Sequence, residues 1–211
     1  MAEAVANYAT TGAPNPAGCA FIAPLGTALP KTATEKLGEA FKSLGLVSSD
    51  GLQDTFDISS TDLTEWGGNT VLSISDSYKE SAQFTLIEQR ESAHKFVFGD
   101  DMVTGSDGGA MTIDHSPAGF RTAHVLVFDM FKVDGGAVRW VIPNAKITNL
   151  DNIGYVVNDY VAYSVTATLL PGGFNEEGKD EVTSRLLVSA PGAAASIMAN
   201  PDNRVEIKSE K

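Results

Sequence analysis

The chain has 211 residues, of which 43% are hydrophobic and 20% are charged, and its formal net charge is −12. This composition is ordinary for a folded domain and excludes a chain that is disordered over its whole length. The acidic excess argues against a protein that grips nucleic acid or an anionic membrane, because both contacts depend on Lys and Arg. The single cysteine, Cys19, excludes an intrachain disulfide, and its apolar neighbours predict a buried thiol.

The first residues of the chain lack the basic and apolar regions of a secretory signal. No apolar run reaches the roughly 18 residues that span a bilayer. We therefore expect a protein that is made and assembled in a reducing cytoplasm, with no membrane partner.

Both ends of the sequence are predicted to be arms around a central domain at 18–190. Residues 1–17 hold little to bury, and residues 191–211 end in a charged tail where Val205 and Ile207 alternate with charges, as in a short strand. Such arms either become ordered on a partner or stay disordered.

Helical spacing is found in two places only. Glu88 to Phe98 has few β-branched residues and stops at Gly99, which predicts a helix. Thr32 and Glu35 fit a capping box, and apolar residues follow at helical spacing up to Leu44, which predicts a second, weaker helix.

The rest of the central domain alternates with the period of a strand. Between Tyr160 and Leu170, apolar side chains take one face and Ser or Thr the other. Asp134-Gly135-Gly136 separates two strand-forming runs, 120–133 and 137–150, and predicts a β-hairpin. Further strands are expected as a pair in 44–59, two in 70–87 and one in 182–189. Many strands separated by Gly, Asp and Asn favour a mainly β sandwich or barrel.

Few residues indicate chemistry. The spacing of His94, His115 and His124 fits no zinc site, and Asp114-His115-Ser116 cannot form a hydrolase triad because neighbours on an extended chain point to opposite faces. The segment 173–180 resembles a phosphate-binding loop, but it ends in Asp180 and carries two further acids, so a turn is the better interpretation. We expect no catalytic residue, no metal and no cofactor.

Two more motifs have structural interpretations. Asp100-Asp101 and Asp107-Gly108-Gly109 lack the spacing of a calcium loop and are read as turns. Trp140 lies inside a predicted strand and is expected in the core, whereas Trp66 follows Glu65 at a Gly-rich turn and is a candidate contact residue.

An ordered set of short stretches resembles the major tail tube proteins of long-tailed, non-contractile phages, particularly those that infect actinobacteria. The stretches run from about residue 18 to residue 190 and no single one is diagnostic. Leu46 and Ser49 depart from the pattern, where a Tyr and an acidic residue are expected. The matching stretches are Phe21–Thr27, Leu44–Gly51, Trp66–Gly68, Phe84–Glu88, Phe98–Gly99 and Val141–Ala145.

The resemblance implies a β-sandwich or split barrel with one flanking helix, with no enzymatic activity. It implies six copies in a ring with a continuous β-barrel as its inner wall, and rings that stack around a tape measure protein. Tail terminator and distal tail proteins are the further partners, and DNA passes through without specific binding. The protein would then be found in the virion tail.

The resemblance also implies a long hairpin loop that bridges rings, which falls on residues 59–69. Its contact residues would be Asp62, Trp66, Gly67 and Gly68. Because a negative lumen repels phosphates, we expect acids on strands beside this loop to face the lumen. The candidates are Asp54, Asp57 and Asp76, and the alternative is that they face outward for solubility.

Three rival interpretations remain. A carbohydrate-binding or adhesive β-sandwich shares the strand pattern and acidity, but it needs a surface aromatic cluster. A hydrolase on a β scaffold needs a convergent catalytic set. A ring protein of a type VI secretion system shares the architecture, and neighbouring genes would separate it from a phage protein.

Overall fold

The structure, a computed structural model, describes residues 12–15, 18–174 and 181–192. It is mainly β, with 50% of the described residues in strands, and its described part holds one α-helix, α1, at Glu91–Phe98. The strands are β1 (Ala13–Pro14), β2 (Ala20–Pro24), β3 (Lys42–Gly45), β4 (Val47–Thr64), β5 (Thr70–Leu86), β6 (Val103–Gly105), β7 (Met111–Ile113), β8 (Ala123–Phe131), β9 (Ala137–Leu150), β10 (Tyr163–Leu169) and β11 (Arg185–Val188).

Nine of these strands form one sheet in the order β3-β2-β8-β9-β10-β5-β4, with β1 added to β8 and β11 to β9. The long strand β9 pairs with β8 along one edge, from Ala137 to Lys146, and its other edge pairs first with β11 and then with β10. The sheet is not closed into a barrel. It is bent so that β5 faces β8, because the rings of Phe84 and Phe128 lie 5.1 Å apart although two strands separate them in the sheet. The result is consistent with the expected sandwich.

The main core lies inside this bend and is closed at one end by α1. Ala93 and Val97 of the helix are fully buried, and Phe96 stacks on Phe84 with a centroid distance of 6.0 Å. The helix begins where Asp107 Oδ1 accepts the backbone N–H of Glu91, at 2.6 Å. The predicted helix and its stop at Gly99 are therefore confirmed, although it begins at Glu91 and not at Glu88. Asp107 lies in a turn that caps the helix.

The glycine that ends the helix also permits a close approach. Gly99 has φ +101°, and a Cβ placed there would lie 2.6 Å from the Cα of Gly119. A side chain at either position would push the short 3-10 turn at Gly119–Arg121 away from the helix end.

The predicted hairpin at 134–136 is confirmed, and so is the alternation in β10, where Tyr163, Val165, Ala167 and Leu169 are buried. Two predictions about elements are wrong. The region 70–87 holds one continuous strand of 17 residues, β5, and not two. The region 32–44 is not helical: it contains bends followed by β3.

Tertiary contacts, and not helical hydrogen bonds, hold this segment. One capping-box contact forms, since Thr32 Oγ1 accepts the N–H of Glu35 at 3.1 Å. The Glu35 carboxylate accepts the N–H of Lys31 at 2.8 Å, whereas a capping box uses the N–H of the cap residue, here Thr32. However, Arg139 Nη1 donates to the carbonyl oxygens of Thr32 and Glu35, at 3.1 and 2.7 Å. Both carbonyls would otherwise accept bonds along a helix. Leu37 and Phe41 of this segment, with Leu29 just before it, pack on the outer face of β8 and β9.

The predicted arms lie mostly outside the described residues. Within 1–17 the structure describes residues 12–15, and there Ala13 and Pro14 extend the sheet beside Phe131 and Met130. Of 191–211 it describes Pro191 and Gly192, so the predicted strand around Val205 and Ile207 lies outside, as do residues 175–180 of the loop that resembles a phosphate site.

Candidate assembly surfaces

The most prominent surface feature is a long two-stranded hairpin formed by β4 and β5. The two strands pair from Val47 and Leu86 at the base to Thr64 and Thr70 at the tip. The neighbouring strand β10 covers only the base, because its last residue, Leu169, is opposite Glu80. Eight residues of β4 and ten of β5 therefore project beyond the rest of the sheet. Their eight paired positions correspond to roughly 27 Å at 3.4 Å per residue.

The segment predicted to bridge rings, 59–69, is the outer part of β4 and the tip of this hairpin. Glu65 and Asn69 close the turn through a backbone bond of 3.0 Å and a side-chain bond of 2.6 Å. Trp66 is fully exposed at the apex, and Gly68 adopts φ +86°, a conformation that suits glycine. Asp62 lies lower on β4, opposite Ser73. All four predicted contact residues, Asp62, Trp66, Gly67 and Gly68, are thus on the projecting part.

The projecting part also carries apolar side chains that the sequence analysis did not single out. Directly opposed residues of an antiparallel pair share a face. On one face, near the tip, Leu63 lies opposite Leu72, and Ile74 follows on β5. On the other face, nearer the base, Ile58 lies opposite Tyr78, and Phe56 precedes Ile58 on β4. All of these side chains are exposed, and the adjacent apolar pair Val71-Leu72 is the sequence signal that could have revealed them.

The four-stranded part of the sheet, β4-β5-β10-β9, has one apolar face in the core and one polar face. Hydroxyl groups join its strands: Ser59 to Ser77 at 2.7 Å, Thr85 to Ser164 at 2.8 Å, and Thr148 to Thr168 at 3.1 Å. The residues of this polar face are Gln53, Thr55, Asp57, Ser59, Ser77, Lys79, Ser81, Gln83, Thr85, Lys146, Thr148, Asn149, Ser164, Thr166 and Thr168.

The three acids predicted for a lumen do not share one face. Asp57 is on the polar face, opposite Lys79. Asp76 is the extra residue of a bulge, and its carboxylate accepts a hydrogen bond from Thr61, which follows Asp57 and Ser59 on that face. Asp54 is an odd number of residues from Asp57 with no bulge between them, so it points to the opposite face. At most two of the three can line one wall.

Asp54 instead faces a buried carboxylate, Glu80. Glu80 is only 2% exposed, and it accepts hydrogen bonds from Tyr78 at 2.8 Å, from Ser184 at 2.5 Å and from Thr183. Burial, and then the charge of Glu80, raise the pKa of Asp54 to about 6. The hydrogen bonds from Thr183 and Ser184 to Glu80 tie the base of the hairpin to the segment that leads into β11.

The histidines that were candidates for a metal or catalytic site lie apart from one another. His94 is buried beside the Tyr163 hydroxyl, at 3.1 Å, and burial lowers its pKa. His124 contacts Asp100 at 3.4 Å, and His115 stacks on Phe98. Within the described ranges no group of three or more His, Cys, Asp or Glu side chains could hold a metal. Cys19 and Trp140 are buried, as predicted.

No helix in the described part of the chain is long and apolar enough to cross a membrane. No curated protein matches the chain by sequence. Among solved structures, the chain is similar to one described as the tube terminating cap of an anti-feeding prophage, with 12% identity and a TM-score of 0.40 over 90% of this chain and 100% of that one. A family model described as phage tail tube protein matches residues 15–178, which include the core, the helix and the whole projecting hairpin. The chain therefore belongs to the phage tail tube protein family.

Proposed function

We propose that this protein assembles into hexameric rings that stack into a tail tube and form the conduit for DNA. Family membership supports a structural tail protein. The observation that carries the proposal further is the four-stranded sheet with one buried apolar face, one polar face and a terminal strand, β4, whose outer edge pairs with nothing in the described chain. An unpaired edge of this length is a template for another strand, and closure into a ring removes it.

In this proposal the polar face of β4-β5-β10-β9 lines the channel. Its charged side chains are Asp57, Asp76, Lys79 and Lys146, so acids and bases balance, and hydroxyl and amide groups make up the remainder. A wall of this kind has few fixed cations to trap phosphates, and the net charge of −12 is carried mainly by other surfaces. Asp57 and Asp76 remain candidates for the lumen, while Asp54 is assigned to the opposite face.

The hairpin tip, with Asp62, Trp66, Gly67 and Gly68, is proposed as the contact between successive rings. Exposed aromatic and aliphatic groups on a projecting element are typical of such contacts. Tape measure, tail terminator and distal tail proteins are proposed partners, with assembly in the host cytoplasm.

The test is negative-stain electron microscopy of the protein at high concentration and after seeding with tail initiation complexes. Annuli and hollow rods with sixfold averages are expected. Compact single particles under all seeded conditions would reject the proposal. Cysteines placed at Gln83, which is exposed on the polar face, and at Asp54, on the opposite face, then test the wall: in rods, the first should react with small maleimides and be protected from large ones.

A further inference from the structure

A second apolar surface lies in the loop that joins β9 to β10, residues 151–162. Val157 is fully exposed, Tyr155 is 75% exposed, and Val156 and Tyr160 are also open to solvent. Together with the projecting hairpin, this loop holds most of the exposed large apolar side chains of the described segments. Contiguous patches of this kind on a soluble protein mark interaction sites.

Both ends of the loop are fixed to the body of the domain. The N–H of Asp151 donates to the carbonyl oxygen of Ser164 at 2.9 Å, and Gln89 Nε2 donates to the carbonyl oxygen of Val161 at 2.7 Å. Gln89 is held in turn by the Tyr163 hydroxyl, at 2.7 Å. The apolar side chains between these anchors therefore stay on the surface of a loop whose ends are well positioned.

The strand register places the loop and the hairpin tip at opposite ends of the sheet. Tyr163, the first residue of β10, is opposite Leu86 at the base of the hairpin, and the loop leads directly into it. The tip lies at the other end of β5, beyond Thr70. A contact between the tip of one copy and the loop of another is therefore heterologous, and its repetition produces an open line of subunits.

On this basis, and resting on the proposed stacking of rings, we propose that the 151–162 loop is the receptor for the hairpin tip of the next copy along the tube. Trp66, with Leu63 and Leu72 below it, would bury against Tyr155, Val157 and Tyr160. A patch of four side chains covers a few hundred Å², well below the roughly 1,200 Å² of a stable pairwise interface. The contact is consequently weak for one pair and effective when it is repeated around a ring.

Charge does not guide this contact. Asp62 and Glu65 flank the tip, and Asp151 and Asp159 flank the loop, so the two surfaces carry the same sign. The free energy must come from apolar burial, with the acids limiting unseeded association.

Two paired-cysteine variants test the assignment and keep the apolar residues of the hairpin tip and of the 151–162 loop intact. Glu65→Cys with Asn158→Cys should give, after seeded assembly and mild oxidation, a ladder of covalent oligomers beyond the dimer. Glu65→Cys with Val133→Cys is the control, because Val133 is as exposed as Tyr155 but lies in the β8–β9 turn. The receptor assignment would be overturned if the first variant formed rods without a ladder, or if the control gave the ladder instead. Either result would leave the proposed tube intact.

If the cysteine substitutions block assembly, single substitutions that introduce a charge test the receptor assignment instead. Val157→Asp should leave the melting temperature of the monomer unchanged and reduce seeded elongation at least tenfold, while Val133→Asp should elongate normally. Equal elongation of both variants would refute the receptor. A failure of the unaltered chain to form rods would count against the proposed function instead.

Discussion

At the scale of single residues, the buried ion pair of Arg139 and Asp129 links two layers of the domain. Arg139 Nε and Nη2 donate to the two carboxylate oxygens of Asp129, at 2.6 and 2.9 Å, and Nη1 holds the carbonyl groups of Thr32 and Glu35. Both side chains are almost completely buried. One guanidinium thus satisfies four acceptors, which Lys cannot match geometrically.

Arg139→Leu should lower the free energy of unfolding by about 3–5 kcal/mol, because it leaves the Asp129 carboxylate buried and unpaired. The double variant Asp129→Leu with Arg139→Leu should recover part of this loss. Urea unfolding followed by circular dichroism measures both. Equal losses in the single and double variants would show that the backbone contacts to Thr32 and Glu35 matter more than the unpaired charge.

A second residue-scale prediction concerns Asp54, whose pKa is raised to about 6 by burial and by Glu80. The ordinary pKa of Asp is about 3.9, so the folded state holds this proton more tightly than the unfolded state. The contribution of Asp54 to stability should therefore rise as pH falls from about 7 through 6 and level off near 4.

Asp54→Asn should accordingly stabilise the monomer at pH 7 and have little effect at pH 4. Two pKa units correspond to nearly 3 kcal/mol, and solvent screening of this exposed group reduces the expected gain to about 1 kcal/mol. Thermal unfolding from pH 4 to pH 8 measures it. Asp57→Asn, on the opposite face and away from Glu80, Tyr78 and Thr183, is the control. A gain that is equal at both pH values would rule out the linkage.

At the scale of elements, the hairpin of β4 and β5 is far longer than its own fold requires. Beyond Glu80 its side chains are exposed on both faces, and β10 no longer pairs with it. Its outer half contributes little to the core, so its apolar residues cannot be explained by folding alone.

Shortening the hairpin should separate assembly from folding. Replacing residues 60–76 by Asn-Gly joins Ser59 to Ser77, which are already opposed, through a two-residue turn that favours hairpins. The monomer should keep its melting temperature within a few degrees but fail to form rods when seeded. Trp66→Ala is the milder version and should weaken the contact by about 2 kcal/mol. Normal elongation of the shortened chain would exclude the hairpin from the ring contact.

At the scale of the whole molecule, the dominant property is the net charge of −12. Copies repel one another over a Debye length of about 30 Å at 0.01 M salt and about 8 Å at 0.15 M. Apolar patches at opposite ends of the sheet favour growth only when this repulsion is screened.

The rate of seeded elongation should therefore rise with NaCl between 10 and 300 mM, as measured by light scattering. The variant Asp62→Asn with Asp159→Asn should show a shallower dependence, because it removes one acid from each proposed surface. Faster elongation at low salt would instead indicate oppositely charged contacts between copies.

The sequence by itself determined the local structure wherever a short-range pattern decides it. The Asp134-Gly135-Gly136 turn needs residues that tolerate positive φ, the alternation in β10 matches the pleat of a strand, and the helix before Gly99 has its spacing and its stop. The same local stretches carried the resemblance to tail tube proteins, and the family match supports it.

Only the tertiary structure decided which residues that are distant in the sequence contact one another. The local pattern favours a helix at 32–44, but the folded segment supplies two carbonyl groups to Arg139 instead, because a buried guanidinium requires acceptors from somewhere in the chain. Strand pairing shows that no bulge lies between Asp54 and Asp57, so their odd spacing puts them on opposite faces. It also places the hairpin tip and the 151–162 loop at opposite ends of one sheet. Alternation shows which residues of a strand share a face, but only the pairing partners decide which face is buried and at which end of the sheet a loop lies.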